Sequence, residues 1–196
     1  MEACRLIATE LACRRGGRLL FRGLSLTLGA GDVARVAGPN GTGKSSLMRI
    51  LAGLLGPFAG SVERSGAVAL LDERPALDEH RPLEGALGFW RALDGGAALP
   101  LSDLGLDDLA DVPVRYLSTG QRKRAAIARM LVQQAPIWLL DEPLNGLDTA
   151  AVLHVERLVA AHCRAGGIAV IASHQPFTLP GMTELRLADY QPPHEG

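Results

Sequence analysis

The stretch of this sequence best equipped for chemistry is Gly38-Pro39-Asn40-Gly41-Thr42-Gly43-Lys44-Ser45, which fits the pattern Gly-x4-Gly-Lys-Ser. Glycines let a backbone curl until successive N–H groups converge, and converging amides hold phosphate oxygens. A lysine at this spacing reaches the β- and γ-phosphates of a nucleotide, and the hydroxyl that follows it, here Ser45, reaches Mg²⁺. Ser46 continues the loop into what comes next. The plain alternative is a Gly-rich turn that happens to carry a lysine. The flanks argue against it: the apolar strand pattern Val33–Ala37 leads in, and the helical pattern Lys44–Ala52 leads out. A helix starting there adds the positive end of its dipole.

Two further groups suit the same chemistry. Asp141 and Glu142 follow the apolar run 137–140. A carboxylate at the end of a buried strand beside a phosphate loop holds Mg²⁺ through water, a role that fits Asp141. Glu142, one residue on, is placed to polarise an attacking water as general base. Standing alone, the pair would read as two solvated acids in a turn. Leu117-Ser118-Thr119-Gly120-Gln121 opens a helical pattern, and unpaired N–H groups at such a start suit an anion. An ordinary N-cap followed by the solvated basic residues Arg122, Lys123 and Arg124 explains that stretch equally well.

These groups need a frame. Short apolar runs alternate with helical patterns, which argues for an α/β sheet. Strands are expected at Val33–Ala37, Val68–Leu71, 137–140 and Ile168–Ala172, with a last edge strand at 184–187. Helices are expected at Lys44–Ala52, ended by Gly53, and at 82–93, 121–134 and 150–163, with a short one at 101–109 that Gly105 weakens. Residues of about 78–135 change character and read as a helical subdomain inserted into a single domain spanning 1–196.

The bulk numbers exclude several classes. At 196 residues, 47% hydrophobic and 21% charged, the chain is globular rather than disordered. A formal net charge of −1 without a basic tail argues against a nucleic-acid partner. Cys4, Cys13 and Cys163 are odd in number and never at Cys-x-x-Cys spacing, so three buried thiols in a reducing compartment are expected rather than a disulfide framework or a zinc site. The first ten residues read as no secretory signal, and no apolar run approaches the roughly 20 residues of a membrane span.

Taken in order, these residues resemble the ABC ATPase family over nearly the whole chain. Residues 117–121 are similar to its signature LSGGQ, with Thr119 at the third place. Asp141-Glu142-Pro143 resembles the extended Walker B motif. Asn145-Gly146-Leu147-Asp148 is similar to the D-loop, and His174 to the switch histidine that contacts the γ-phosphate. The resemblance implies the P-loop ABC-type nucleotide-binding fold, with a small antiparallel β region, and ATP and Mg²⁺ as ligands. It also implies a head-to-tail dimer with a second copy of the chain, in which Ser118, Thr119, Gly120 and Gln121 act in trans on the partner's nucleotide. A closer resemblance is to the ATP-binding subunits of the haem exporters of cytochrome c biogenesis. It rests on the short chain, on the stretch Arg81-Pro82-Leu83-Glu84-Gly85-Ala86-Leu87-Gly88-Phe89-Trp90, and on Ser173-His174-Gln175-Pro176. It implies a peripheral place on the cytoplasmic face of a bacterial inner membrane, integral membrane subunits (CcmB/CcmC-like) as partners, and a haem chaperone indirectly.

The sequence departs from the family in two places. No glutamine occurs between Ser46 and Gly120, whereas the family places one after the strand read here as Val68–Leu71. The best-matching position holds Arg74, which has no lone pair for a metal but can meet a phosphate as a charged fork. The aromatic that usually stacks on adenine is also missing. Arg14, Arg15 and Arg18 stand in that stretch, where one guanidinium could cover the base or all three could be solvated. Other functions remain open at this level: a transporter ATPase for another solute or lipid, or a nucleotide-gated regulator that binds without hydrolysing. A clamp on DNA fits poorly, because its relatives insert long coiled coils where only about 70 residues separate Lys44 from Ser118, and ribosome-acting relatives usually carry two ATPase domains in one chain.

Overall fold

The computed structural model describes residues 4–95, 98–177 and 179–192. Its centre is a five-stranded parallel sheet in the order β5-β6-β7-β3-β8, with β3 at Val33–Ala37, β5 at Val68–Leu71, β6 at Ile137–Asp141, β7 at Ile168–Ala172 and β8 at Thr183–Arg186. A parallel sheet covered on both faces needs apolar residues at successive positions, and all five residues of β6 and of β7 are buried. The two faces of β6 serve different cores. Ile137 and Leu139 pack toward α1 (Lys44–Ala52), and Trp138 and Leu140 toward α3 (Thr119–Val132) and α4 (Thr149–Arg164).

A second, three-stranded antiparallel sheet has the order β2-β1-β4, from Arg5–Arg15 (β1), Arg18–Leu28 (β2) and Ala59–Ser65 (β4). Its inner residues Leu6, Leu11, Phe21 and Leu24 are buried with Leu47, Met48, Ile50 and Leu51 of α1. Helix α1 is thus clamped between the two sheets, and its N-terminus inherits their rigidity.

The chain between β5 and β6 forms α2 (Leu83–Asp94), three single 3-10 turns and α3. Two residues of the insertion expected at 78–135, numbers 96–97, lie outside the described residues. The helix expected at 101–109 is instead two 3-10 turns, Ser102–Leu104 and Asp107–Leu109. Gly105 between them turns left-handed, at φ 59°, and its N–H closes on the Ser102 carbonyl. That ends the first turn before an α-helix can propagate.

The far end of α1 is held by a side chain from another layer. Arg64 of β4 donates from Nε to the Leu51 carbonyl at 2.6 Å and from Nη2 to the Ile50 carbonyl at 2.7 Å. A cation on the last carbonyls also complements the helix dipole. Arg64→Ala is expected to cost about 1–2 kcal/mol, given the exposed position of the side chain. In a chain of this size that lowers Tm by roughly 3–6 °C. A thermal melt checks this, and an unchanged Tm would mean the clamp contributes nothing.

Candidate functional site

The loop at 38–43 and the start of α1 form one wall of a cleft of about 460 Å³. Asn40, Gly41, Gly43, Lys44, Ser45 and Ser46 line it, and Glu142, Asn145 and His174 face them. Gly43 is the N-cap of α1, with no side-chain cap and φ 107°. An added Cβ there would stand 3.2 Å from Phe21 and 3.3 Å from Leu20, so both conformation and space demand glycine. The bond from Leu47 N–H to the Gly43 carbonyl, 2.8 Å, closes the first turn of α1. The amides of Lys44, Ser45 and Ser46 precede that bond and are left for an anion.

Lys44 is 6% exposed, and its Nζ donates to the carbonyls of Gly38 at 2.8 Å and Pro39 at 3.2 Å. The same nitrogen lies 3.8 Å from Glu142 Oε1. Glu142 Oε2 in turn sits 2.8 Å from His174 Nδ1. Lys44, Glu142 and His174 therefore form one linked row across the cleft. Glu142 holds a left-handed backbone, φ 48°, and its N–H donates to the Ala172 carbonyl of β7 at 2.8 Å. That anchor ties the end of β6 to the neighbouring strand and aims the carboxylate at the loop.

Asp141 is 4% exposed, and its Oδ1 has no hydrogen-bond partner. Burial pushes its carboxyl above the usual carboxylate range; the charges of Glu142, Glu73 and Asp72 act the same way, and Ser45 opposes them. A buried, unpaired carboxylate oxygen beside a serine hydroxyl and a phosphate loop suits a hard cation. Among the described residues no group of three or more His, Cys, Asp or Glu could hold a metal by itself. The donor set thus fits Mg²⁺, which binds through one or two protein groups and takes its other oxygens from phosphate and water.

Lys123 of α3 was not expected here. Its Nζ donates to the Glu142 main-chain carbonyl at 3.0 Å. Burial lowers its pKa, against the charges of Asp141, Glu73, Asp72 and Glu142. No motif marks this lysine, and its spacing alone reads as a solvated face.

The signature residues lie outside this cleft's lining. Ser118 caps α3 in a reciprocal box: its hydroxyl accepts from Gln121 N–H at 3.3 Å, and Gln121 Oε1 accepts from Ser118 N–H at 2.8 Å. Thr119 is exposed at the same helix start. A Cβ on Gly120 would stand 2.6 Å from the Gly146 carbonyl, so the signature helix abuts the loop at 145–148. Asp148 caps α4, accepting from Ala151 N–H at 2.8 Å. Asn145 lines the cleft and accepts from Gln175 Nε2 at 3.2 Å.

The residue after β5 differs from the expectation. Arg74 is exposed and is not part of the cleft lining, whereas Glu73 is. Of the N-terminal arginines, Arg15 lines the cleft beside Leu20. Arg14 turns away, with Nε donating to the Gly17 carbonyl at 3.3 Å and its guanidinium 5.7 Å from the Phe58 ring centroid.

A phosphate loop, a strand-end acid pair and a histidine at the next strand define a P-loop ATPase site. The family model "ABC transporter" matches residues 21–145, and the chain belongs to that family as an ATP-binding ATPase subunit. Relatives agree in kind. The chain is 60% identical to the cytochrome c biogenesis ATP-binding export protein CcmA of Novosphingobium aromaticivorans, over 98% of this chain and 100% of that one. It is 50% identical to the CcmA protein of Zymomonas mobilis, over 95% and 86%. An ABC transporter ATP-binding protein of Pyrococcus furiosus shares the fold, with a TM-score of 0.81 at 21% identity, covering 96% of this chain and all of that one.

Proposed function

We propose that this chain is the ATP-hydrolysing subunit that energises haem export, or haem-chaperone release, in cytochrome c biogenesis. The supporting observation is the 60% identity to a CcmA protein along that protein's whole length. ATP lies with its phosphates in the 38–46 loop, where Lys44 meets the β- and γ-phosphates. Ser45 and Asp141 hold Mg²⁺, which neutralises phosphate charge. Glu142 accepts a proton from the attacking water, and His174 orients Glu142 and meets the γ-phosphate.

Two copies pair head to tail. Ser118, Thr119, Gly120 and Gln121 of each then face the partner's nucleotide, and Asp148 lies at the seam. That arrangement accounts for a signature helix standing outside its own chain's cleft. Among the described residues no helix is long and apolar enough to cross a membrane. Contact with the inner membrane's cytoplasmic face runs through integral CcmB/CcmC-like subunits, and the haem chaperone is reached through them. The insertion offers exposed apolar side chains for such a contact: Phe89, Leu93 and Tyr116 are 54%, 65% and 67% exposed.

The test is genetic and chemical at once. A strain lacking this chain should lose haem-bearing c-type cytochromes, and the chain should restore them where its Glu142→Gln form does not. Normal cytochrome c maturation in the deletion strain would end this reading in favour of another transported solute.

A further inference from the structure

The position after β5 carries the chain's departure from its family, and the geometry there is specific. β5 and β6 run parallel with Leu71 beside Leu140, so the residues that follow each strand emerge on the same side of the sheet. Asp141 comes next on β6, and Asp72 is the first residue after β5. Asp72 is already engaged: its Oδ1 accepts from Arg74 N–H at 2.9 Å, and its Oδ2 lies 3.7 Å from Arg49. The first contact is an Asx turn, which reverses the chain within two residues. It leaves Arg74 exposed outside the cleft and sets Glu73 in the lining with Lys44, Ser45 and Ser46.

Two observations make this more than a patch of acids. Asp141, 4% exposed, carries an unpartnered oxygen at the end of the strand beside β5. Glu73 also lines the same cleft as Ser45, the other residue proposed to hold the cation. Carboxylate oxygens are the donors that Mg²⁺ prefers, and a guanidinium offers it none.

Resting on the nucleotide-site reading above, we propose that Glu73 takes the place of the missing glutamine and gives a carboxylate oxygen, directly or through one water, to the divalent cation bound with ATP. The substitution is not neutral. A glutamine amide would donate an uncharged oxygen, whereas Glu73 sets a negative charge facing the phosphates. ATP without metal is repelled by that charge, and the cation relieves the repulsion. Metal and nucleotide binding are therefore coupled more strongly in this chain than an amide would allow.

The experiment measures ATP affinity twice, with excess Mg²⁺ and with EDTA, by calorimetry on the full chain. The ratio of the two dissociation constants is the coupling. In Glu73→Ala that ratio should fall about tenfold, largely through tighter metal-free binding, a size usual for coupled ligands. Glu73→Gln should fall between it and the parent, and Arg74→Ala should match the parent. A ratio unchanged in Glu73→Ala, or one that falls as far in Arg74→Ala, overturns the inference. So does an equal change of both constants, which would make Glu73 only a counter-charge for Lys123. If the parent chain binds ATP in neither condition, the nucleotide-site reading itself fails, which is a distinct result.

Discussion

Glu142→Gln should leave ATP binding nearly untouched while lowering hydrolysis by about 10²–10⁴-fold, the range that a positioned general base supplies. The geometry separates the two effects. The backbone of Glu142 is fixed by its own N–H on Ala172 and by Lys123 on its carbonyl, so the turn does not depend on the carboxylate. An amide of the same shape still fits between Lys44 and His174 but cannot take a proton from water. It also removes a negative charge 3.8 Å from Lys44, the lysine proposed to meet the phosphates, which favours nucleotide binding. ATP should then hold the dimer closed without being consumed. Size-exclusion chromatography with ATP and Mg²⁺ should show the variant as a dimer, beside a parent that cycles. Loss of ATP binding equal to that of a phosphate-loop variant would contradict the role given to Glu142.

What could be read in the sequence follows from which positions have one physical solution. β3, β5 and β7 and helix α1 lie at the residues expected, because a doubly covered parallel strand has to be a mainly apolar run, broken in β3 only by Arg35, and Gly53 stops α1 with a left-handed turn, φ 80°. The β1–β2 hairpin was not legible from pattern. Glu10 adopts φ 48°, and the pairing of β1 shifts register between Ala8 and Leu11, so the two-residue alternation breaks in mid-strand. The small antiparallel sheet was expected through family resemblance alone. The phosphate loop and the acid pair were legible because their spacing admits few alternatives. Glu73 was not, because matching by position singles out Arg74, ahead of Pro75. The signal available was Asp72 two residues before Arg74, a pairing that makes an Asx turn and decides which of two adjacent side chains enters the cleft. Lys123 had no signal, since its burial depends on how α3 docks against the end of β6.

Lys44→Ala should weaken ATP binding by roughly 10–100-fold, the scale of a lost charge-assisted contact to a phosphate. Its position makes the loss hard to repair. Lys44 is the cation at the floor of the cleft, 6% exposed, held by two carbonyls of its own loop. Lys123 cannot replace it, because that ammonium is committed to the Glu142 carbonyl on the far side of the turn. His174 is half-exposed and reaches the row through Glu142 rather than the loop. The alanine variant also leaves Glu142 without its nearest cation, so repulsion between that carboxylate and the γ-phosphate adds to the deficit. Combining Lys44→Ala with Glu142→Gln tests this coupling. If the repulsion is real, the double variant binds ATP more tightly than Lys44→Ala alone, by about three- to tenfold for two charges near a protein surface. Calorimetric titration of both proteins reads the difference directly, and equal affinities would show that Lys44 and Glu142 act on the nucleotide independently.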